Sequence, residues 1–221
     1  LHRVDRRQRQ MCIRDSQPTH QPARPENLDV EGLHKGIYLY DAGEQKDNNV
    51  SLLASGVGMQ AALRAQQILQ DEYNVGAAIY SVTSWVECAR DGAHVRDQQL
   101  LHPGEDVGEA FVTKQLKQTS GPYVATSDYA SDLQEQIRPY VPGQYLVLGA
   151  DGFGFSDTRE SARRFFNIDA ESMVVAALMG LANEGKIDMS IAAQAAKDLK
   201  LDDPTAVSYT HLRAHETPEH L

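Results

Sequence analysis

The amino-acid sequence predicts an α/β fold in which a largely parallel sheet is sandwiched between helices. Two observations support this prediction. Short apolar runs of strand length alternate with longer segments of helical periodicity, and the loops between them are short. The 221 residues are 41% hydrophobic and 24% charged, which is ordinary for a globular chain and enough for one domain of generous size.

Five apolar segments are predicted to be strands, because each is short and bounded by polar, proline or glycine residues. They are GIYLYD (36–41), VSLLAS (50–55), AAIYSV (77–82), PYVATS (122–127) and QYLVLG (144–149). Residues 17–35, which precede the first strand, are rich in Pro, Asn and charge. This composition predicts a linker that leads into the domain.

Helices are predicted between these strands. Residues 59–73 and 109–118 have helical spacing, and a third helix is expected to run to about Arg138 with Ser127 or Asp128 as its cap. The segment SWVECARDGAHVRDQQLL is expected to be helical only in part, with Gly92 as an interruption.

Three more helices are predicted after the last strand, each beginning at an aspartate whose side chain accepts amide hydrogen bonds. Asp157, with Glu160 three residues later, resembles a capping box, and Asp169 and Asp188 are the other two caps. The helix that contains SMVVAALMGLA (172–182) is apolar all round, which predicts that it is buried on every side.

Composition excludes several classes of partner. The net charge of −10 repels phosphate backbones and anionic membranes, so neither nucleic acid nor a membrane surface is expected as a partner. No uninterrupted apolar run approaches the roughly 20 residues of a spanning helix, and no signal-peptide pattern is present. Two cysteines, Cys12 and Cys88, fit a reducing compartment, so a cytoplasmic location is expected.

Both ends of the chain differ in composition from the middle. LHRVDRRQRQMCIRDS (1–16) and VSYTHLRAHETPEHL (207–221) show no periodicity, and they resemble translated sequencing-adapter read-through. We therefore expect these ends to be non-native segments that are dispensable for the fold. Residues 36–206 remain as the expected domain.

Few side chains suggest catalysis or metal binding. His34, His94 and His102 have no Cys, His or acidic partner at ligand spacing, so no metal site is expected. Arg90 could lower the pKa of the Cys88 thiol, but a lone half-buried cysteine is usually structural. Ser55 does not lie in a G-x-S-x-G turn, which argues against a hydrolase nucleophile.

The segment SGVGM (55–59) follows a strand and opens a helix, which is where a glycine-rich phosphate loop would lie. The full G-x-G-x-x-G pattern is absent, because residue 61 is Ala. A tight turn is the favoured interpretation. An anion or nucleotide site over Gly56 and Gly58 is the alternative.

The most unusual stretch is GADGFGFSDTRE (149–160), which follows the last strand at the edge where ligand crevices of α/β sheets form. Asp151 and Asp157 could act as acid–base groups, but capping of backbone amides is favoured. We expect special backbone angles or close approaches at Gly152 and Gly154, and a carboxylate such as Asp151 as the partner of Arg159. The candidate motif residues are Asp151, Gly152, Gly154, Ser156, Asp157 and Arg159.

The longer run LGADGFGFSDTRESARRFFNIDAESMVVAAL (148–178) resembles the C-terminal end of the thiamine-diphosphate-dependent, decarboxylating component of bacterial pyruvate dehydrogenases of the homodimeric type. The resemblance covers about residues 25–206, and Phe155 departs from it because the family usually carries Arg there. Supporting segments occur in the family's order: KGIYLYD, SVTSWVECARDG, LLHP and TSDYASDLQEQIRPYVP.

The resemblance implies a transketolase-type C-terminal domain, a three-layer α/β/α fold with a five-stranded mixed, mostly parallel sheet. It implies the strand order 1-3-2-4-5 with the first strand antiparallel. It also implies a homodimer with a second copy of the chain, and the acetyltransferase core of the complex as a partner.

In this family, thiamine diphosphate and Mg²⁺ are held in the preceding domains by a GDG motif followed by paired Asn. Here GADG (149–152) has no such pair after it, and Asn48 and Asn49 lie before it. No catalytic, cofactor-binding or metal-binding residue is therefore assigned. The expected function is a structural, dimer-supporting part of the enzyme that is inactive alone. The alternative is a free-standing doubly wound module that binds an anionic or nucleotide ligand.

Overall fold

Five strands form one mixed sheet in the order β1-β3-β2-β4-β5. In this computed structural model the described residues are 25, 27–154 and 158–201. β1 pairs antiparallel with β3, whereas β2, β3, β4 and β5 are mutually parallel. The predicted strand order and the antiparallel first strand are confirmed. The strands are β1 (Ile37–Asp41), β2 (Asn48–Ala54), β3 (Val75–Val82), β4 (Tyr123–Thr126) and β5 (Tyr145–Leu148).

Helices cover both faces of the sheet, so the predicted three layers are present. Their bounds are α1 (Val30–Lys35), α2 (Gly58–Tyr73), α3 (Trp85–Leu101), α4 (Phe111–Leu116), α5 (Ser131–Glu135), α6 (Arg159–Phe165), α7 (Ala170–Asn183) and α8 (Met189–Asp198), with a 3₁₀ turn at Arg138–Tyr140. One apolar core lies between the sheet and α2, α7 and α8. A second core lies on the other face, against α3 and α4.

The predicted linker contains a helix that the composition of residues 17–35 concealed. The Asp29 carboxylate caps α1 by accepting a hydrogen bond from the Gly32 amide at 2.9 Å. Gly36 ends α1 with a φ of 98°. An aspartate cap before the helix and a glycine just after it were the signals in the sequence.

Helix α3 is continuous through Gly92, so the expected interruption there is wrong. A Cβ atom on Gly92 would lie 2.4 Å from the Tyr140 ring. The glycine therefore serves the packing of α3 against the segment after α5, and the helix tolerates its low propensity.

The helix after β4 is shorter than predicted and begins at Ser131. Its N-cap residue, Ala130, makes no side-chain capping bond, whereas the Ser127 hydroxyl accepts a hydrogen bond from the Tyr129 amide at 2.9 Å. Neither Ser127 nor Asp128 caps this helix. The turn between β4 and α5 is bonded to the loop after β5, because the Ala150 amide donates to the Tyr129 carbonyl.

Helix α7 is the most buried helix of the described chain, as its apolar composition predicts, although Met179 is 40% exposed. By length and composition alone, Arg159–Asn183 could cross a membrane, contrary to the expectation from the sequence. Here the stretch is two helices separated at Asn167, which has a φ of 55°, and 56% of its apolar window is buried. These features are those of a core helix.

Arg164 joins the last three helices. Its guanidinium contacts the carboxylates of Asp169 and Glu171 at the start of α7, and it donates to the Leu199 and Lys200 carbonyls at the end of α8, both at 3.1 Å. The side chains of Arg164, Asp169 and Glu171 are only 12–17% exposed. Asp169 and Asp188 also cap α7 and α8 as predicted.

We expect Gly92→Ala to lower the free energy of unfolding by about 1 to 3 kcal/mol, because the added methyl group overpacks the contact with Tyr140. Glycine-to-alanine replacement inside a helix ordinarily stabilises a protein by roughly 1 kcal/mol, so the change expected here has the opposite sign. Urea unfolding measures this change in unfolding free energy. In a Tyr140→Ala background the same substitution should be neutral or stabilising, and a Gly92→Ala protein as stable as the parent would contradict the assigned contact.

We expect Arg164→Ala to cost about 2 to 4 kcal/mol of unfolding free energy, because it leaves the largely buried Asp169 carboxylate without its cation and removes two hydrogen bonds to the end of α8. Arg64→Ala is the matched control. Arg64 also contacts Glu171, at 2.9 Å, but its side chain is 67% exposed, so its loss should cost about 1 kcal/mol or less. Equal effects of the two substitutions in thermal unfolding would refute the bridging role of Arg164.

Candidate functional site

The candidate site lies at the edge of the sheet where the four parallel strands end. β2, β3, β4 and β5 all finish there, so the turns that follow them converge: residues 55–58, 83–85, 127–131 and 149–154. β1 begins at the same edge, because Ile37 pairs with Val82. Ligand sites of open α/β sheets form at the carboxyl ends of the strands, so this edge is the candidate binding or catalytic site.

Two polar pairs are buried beneath these turns. The Trp85 indole donates to the Ser55 hydroxyl at 3.0 Å. The Ser127 hydroxyl donates to the Gln134 side-chain oxygen at 2.6 Å, and the Gln134 side-chain nitrogen donates to the Ala130 carbonyl at 3.0 Å. Both Ser127 and Gln134 are fully buried. These hydroxyls are engaged in holding the turns together, and neither is placed as a nucleophile.

Asp151 caps a helix from a distance. Its carboxylate accepts a hydrogen bond from the Ser131 amide at 2.8 Å, at the beginning of α5, twenty residues earlier in the chain. Hydrogen bonds from Ser131 hold the pKa of the Asp151 carboxyl below its usual range. The favoured interpretation of Asp151 as an amide cap is therefore confirmed, and its partner lies at the start of a different helix, α5.

The two glycines of the motif differ. Gly152 has a φ of 135°, which side chains rarely adopt, so its predicted backbone role is confirmed. Gly154 lacks a positive φ, and no described atom lies within 4 Å of its Cβ position, so the described residues give no reason for a glycine there. Between them Phe153 is 97% exposed.

The cap of α6 is Thr158, whose hydroxyl accepts a hydrogen bond from the Ser161 amide at 3.2 Å. The predicted capping box placed this cap one residue earlier, at Asp157. Ser156 and Asp157 lie outside the described residues, as does Phe155. The pairing of Arg159 with a carboxylate stays a prediction.

Cys88 is buried in α3 and its thiol lies 3.8 Å from the Lys35 carbonyl. Burial, reinforced by the nearby carboxylate of Asp91, raises the pKa of the Cys88 thiol to about 12. Arg90 instead pairs with Glu87 at 2.6 Å. The expectation that Arg90 would lower this pKa is wrong, and the neutral, packed thiol is a structural residue.

The turn at Gly56 and Gly58 does not have the geometry of an anion site. The first amides of α2 donate to backbone carbonyls, Gly58 to Ser55 at 3.0 Å and Met59 to Gly56 at 3.3 Å. A Cβ on Gly58 would lie 3.1 Å from Thr126, so this glycine allows α2 to approach β4 closely. Asp128 places a carboxylate oxygen 3.7 Å from the Cβ position of Gly56, which would repel an anion. The tight-turn interpretation is favoured over the nucleotide alternative.

The described residues do not fit a bound magnesium diphosphate. Within residues 25, 27–154 and 158–201, no group of three His, Cys, Asp or Glu could hold a metal ion. His102 does have an acidic neighbour, Glu105, at 4.0 Å, but both are exposed and form only a pair. Asn49 bonds the backbone of Lys46 through both its amide oxygen and its nitrogen, so it is engaged locally.

The family model of the transketolase-like C-terminal domain matches residues 36–169, more than half of the chain. The chain belongs to this family. The match begins just before β1 and ends at the cap of α7, so it contains the whole sheet and the GADGFG loop.

Curated relatives agree with this assignment. The chain is 68% identical over 193 residues to the pyruvate dehydrogenase E1 component of Corynebacterium glutamicum, and 51% identical over 197 residues to that of Mycolicibacterium smegmatis. It is 42% identical over 184 residues to the Escherichia coli K12 protein. These matches cover 83–89% of this chain, but the chain spans only about a fifth of the length of each relative.

A solved structure shows the same fold. A transketolase mutant of Pichia stipitis in complex with xylulose 5-phosphate superposes with a TM-score of 0.51 and 18% identity. The superposition covers 74% of this chain and 20% of that one. At this identity the likeness concerns the architecture alone.

We expect Asp151→Ala to lower the free energy of unfolding by about 0.5 to 1 kcal/mol at pH 7, as for the loss of an exposed cap. Folding lowers the pKa of Asp151. The stabilisation of the folded state by this carboxylate is therefore fully present above the pKa of the unfolded chain, about 4, and is lost as the pH falls through the pKa of the folded protein. Unfolding of the parent and the variant, measured from pH 7 to pH 3, should therefore converge at low pH. A difference that widens on acidification would rule out a carboxylate cap.

Proposed function

We propose that this chain is the C-terminal part of a pyruvate dehydrogenase E1 component, an oxidoreductase that carries out the oxidative decarboxylation of pyruvate in the intact enzyme. The observation that carries the proposal is the 68% identity over 193 residues to the Corynebacterium glutamicum E1 component. The sheet order and the family match support the same assignment.

Within that enzyme this domain has a structural role. Its most unusual loop uses Asp151 to cap a helix, and the buried hydroxyls of Ser55 and Ser127 are engaged in turns. Thiamine diphosphate and Mg²⁺ belong to the intact enzyme and are bound by residues outside the described ones, since those present do not form a metal site. We also propose that the intact enzyme forms a homodimer, binds the acetyltransferase core of the complex and is located in the cytoplasm.

Two measurements test this proposal. Calorimetric titration of this chain with thiamine diphosphate and Mg²⁺ should give no binding, and micromolar affinity would contradict the structural role. In the second, residues 25–201 replace the matching segment of the Corynebacterium glutamicum relative. This full-length chimera should decarboxylate pyruvate at a rate close to that of the relative, and an inactive but folded chimera would refute the assignment.

A further inference from the structure

Three large apolar side chains are exposed where the parallel strands end. Val86, Tyr129 and Phe153 are 57%, 60% and 97% exposed, and they follow β3, β4 and β5 respectively. We call these three residues the carboxyl-edge patch. The loops of Tyr129 and Phe153 are joined, because the Ala150 amide donates to the Tyr129 carbonyl at 2.8 Å.

The backbone around Phe153 is held in place. Asp151 is bonded to the Ser131 amide, and Gly152 takes a left-handed φ of 135° immediately before the phenylalanine. Gly152 also lies beside the Phe166 ring: a Cβ atom added to Gly152 would be 3.4 Å from that ring. An anchored turn that presents a nearly fully exposed phenyl ring is suited to insertion into another surface, because burial of the ring removes a large apolar area from water.

The segment that leads into the domain is fixed to this same edge. The Thr83 hydroxyl donates to the Leu33 carbonyl at 2.7 Å, and the amides of Thr83 and Ser84 donate to the Gly36 carbonyl at 2.9 and 3.1 Å. Since α1 has six residues, the chain enters this helix within about 9 Å of the edge. Attachment at this edge raises the effective concentration of the preceding polypeptide there and favours its docking over docking of a separate protein.

We propose that the carboxyl-edge patch is the surface on which the preceding part of the same full-length polypeptide docks. This inference rests on the proposed function, because the chain spans about a fifth of the length of its relatives and the remainder supplies the occupant. The partner surface is apolar, with a pocket that accepts the Phe153 ring. The anchored loop of Asp151 and Gly152 sets the direction of that ring.

Cysteine labelling in the full-length chimera tests this docking surface. Phe153→Cys and Tyr129→Cys are introduced singly, and their reaction with a maleimide is followed peptide by peptide by mass spectrometry. The same sites in urea give the rate for a fully exposed cysteine. In the folded chimera both sites should react about tenfold or more slowly than in urea, whereas Phe153→Cys in this chain alone should react at close to the urea rate.

Two results would overturn the proposal. One is reaction of both sites in the chimera as fast as in urea. The other is protection in this chain alone that increases with protein concentration, which would mean that a second copy covers the patch. Pyruvate decarboxylation by the same chimera tests the proposed function separately. An active chimera with reactive sites contradicts only the docking surface, and an inactive chimera with protected sites contradicts only the proposed function.

Discussion

Parallel pairing of β2 with both of its neighbours is the constraint on which the rest of the structure depends. Because β2 pairs in parallel with β3 and β4, and β4 with β5, each return connection crosses a face of the sheet and each strand ends at the same edge. Turns from distant parts of the chain therefore meet there. The bond between Asp151 and Ser131 and the bond between Trp85 and Ser55 both follow from this arrangement.

The C-terminal helices are an integral part of this domain, although the family match ends at Asp169. α7 contributes most of its length to the core that covers one face of the sheet, and α8 packs on it through Ala192 and Ala195. Arg164 then fixes the end of α8 to the start of α7 with two carboxylates and two carbonyls. A core on each face leaves the carboxyl edge as the place where exposed apolar side chains project from anchored turns.

The parts predicted well from the sequence are those determined by local pattern. Strands of alternating or continuous apolar residues, and the caps at Asp169 and Asp188, depend on neighbours within a few positions. The expected interruption at Gly92 is wrong because this glycine serves a contact with a distant residue, Tyr140. Asp151 caps an amide as predicted, but the position of that amide, at Ser131, depends on the fold. The cap of α6 is a local error: it is Thr158 and not the adjacent Asp157, and both residue types are good caps.

The candidate site has an unusual composition that predicts its position, but the sequence does not determine its chemistry. Two aspartates in a glycine-rich loop are compatible with either catalysis or capping. For Asp151 the hydrogen bond from the Ser131 amide shows that the side chain is a cap. Likewise, the sequence around Gly56 and Gly58 resembles a phosphate loop. In the structure the first amides of α2 donate to backbone carbonyls, and the Asp128 carboxylate lies nearby, so the geometry does not favour an anion. At this edge Ser55, Ser127 and Asp151 bond to the protein itself, so these side chains contribute to its shape.

We propose that this domain supplies structure to the intact enzyme and that the cofactor is bound elsewhere in the polypeptide. The decisive measurement is a crystal structure of the full-length chimera with thiamine diphosphate and Mg²⁺. We expect that no side chain from residues 25–201 of this chain contacts the cofactor or the metal. A carboxylate of the GADGFG loop found coordinating Mg²⁺, or bonded to the thiamine ring, would contradict it.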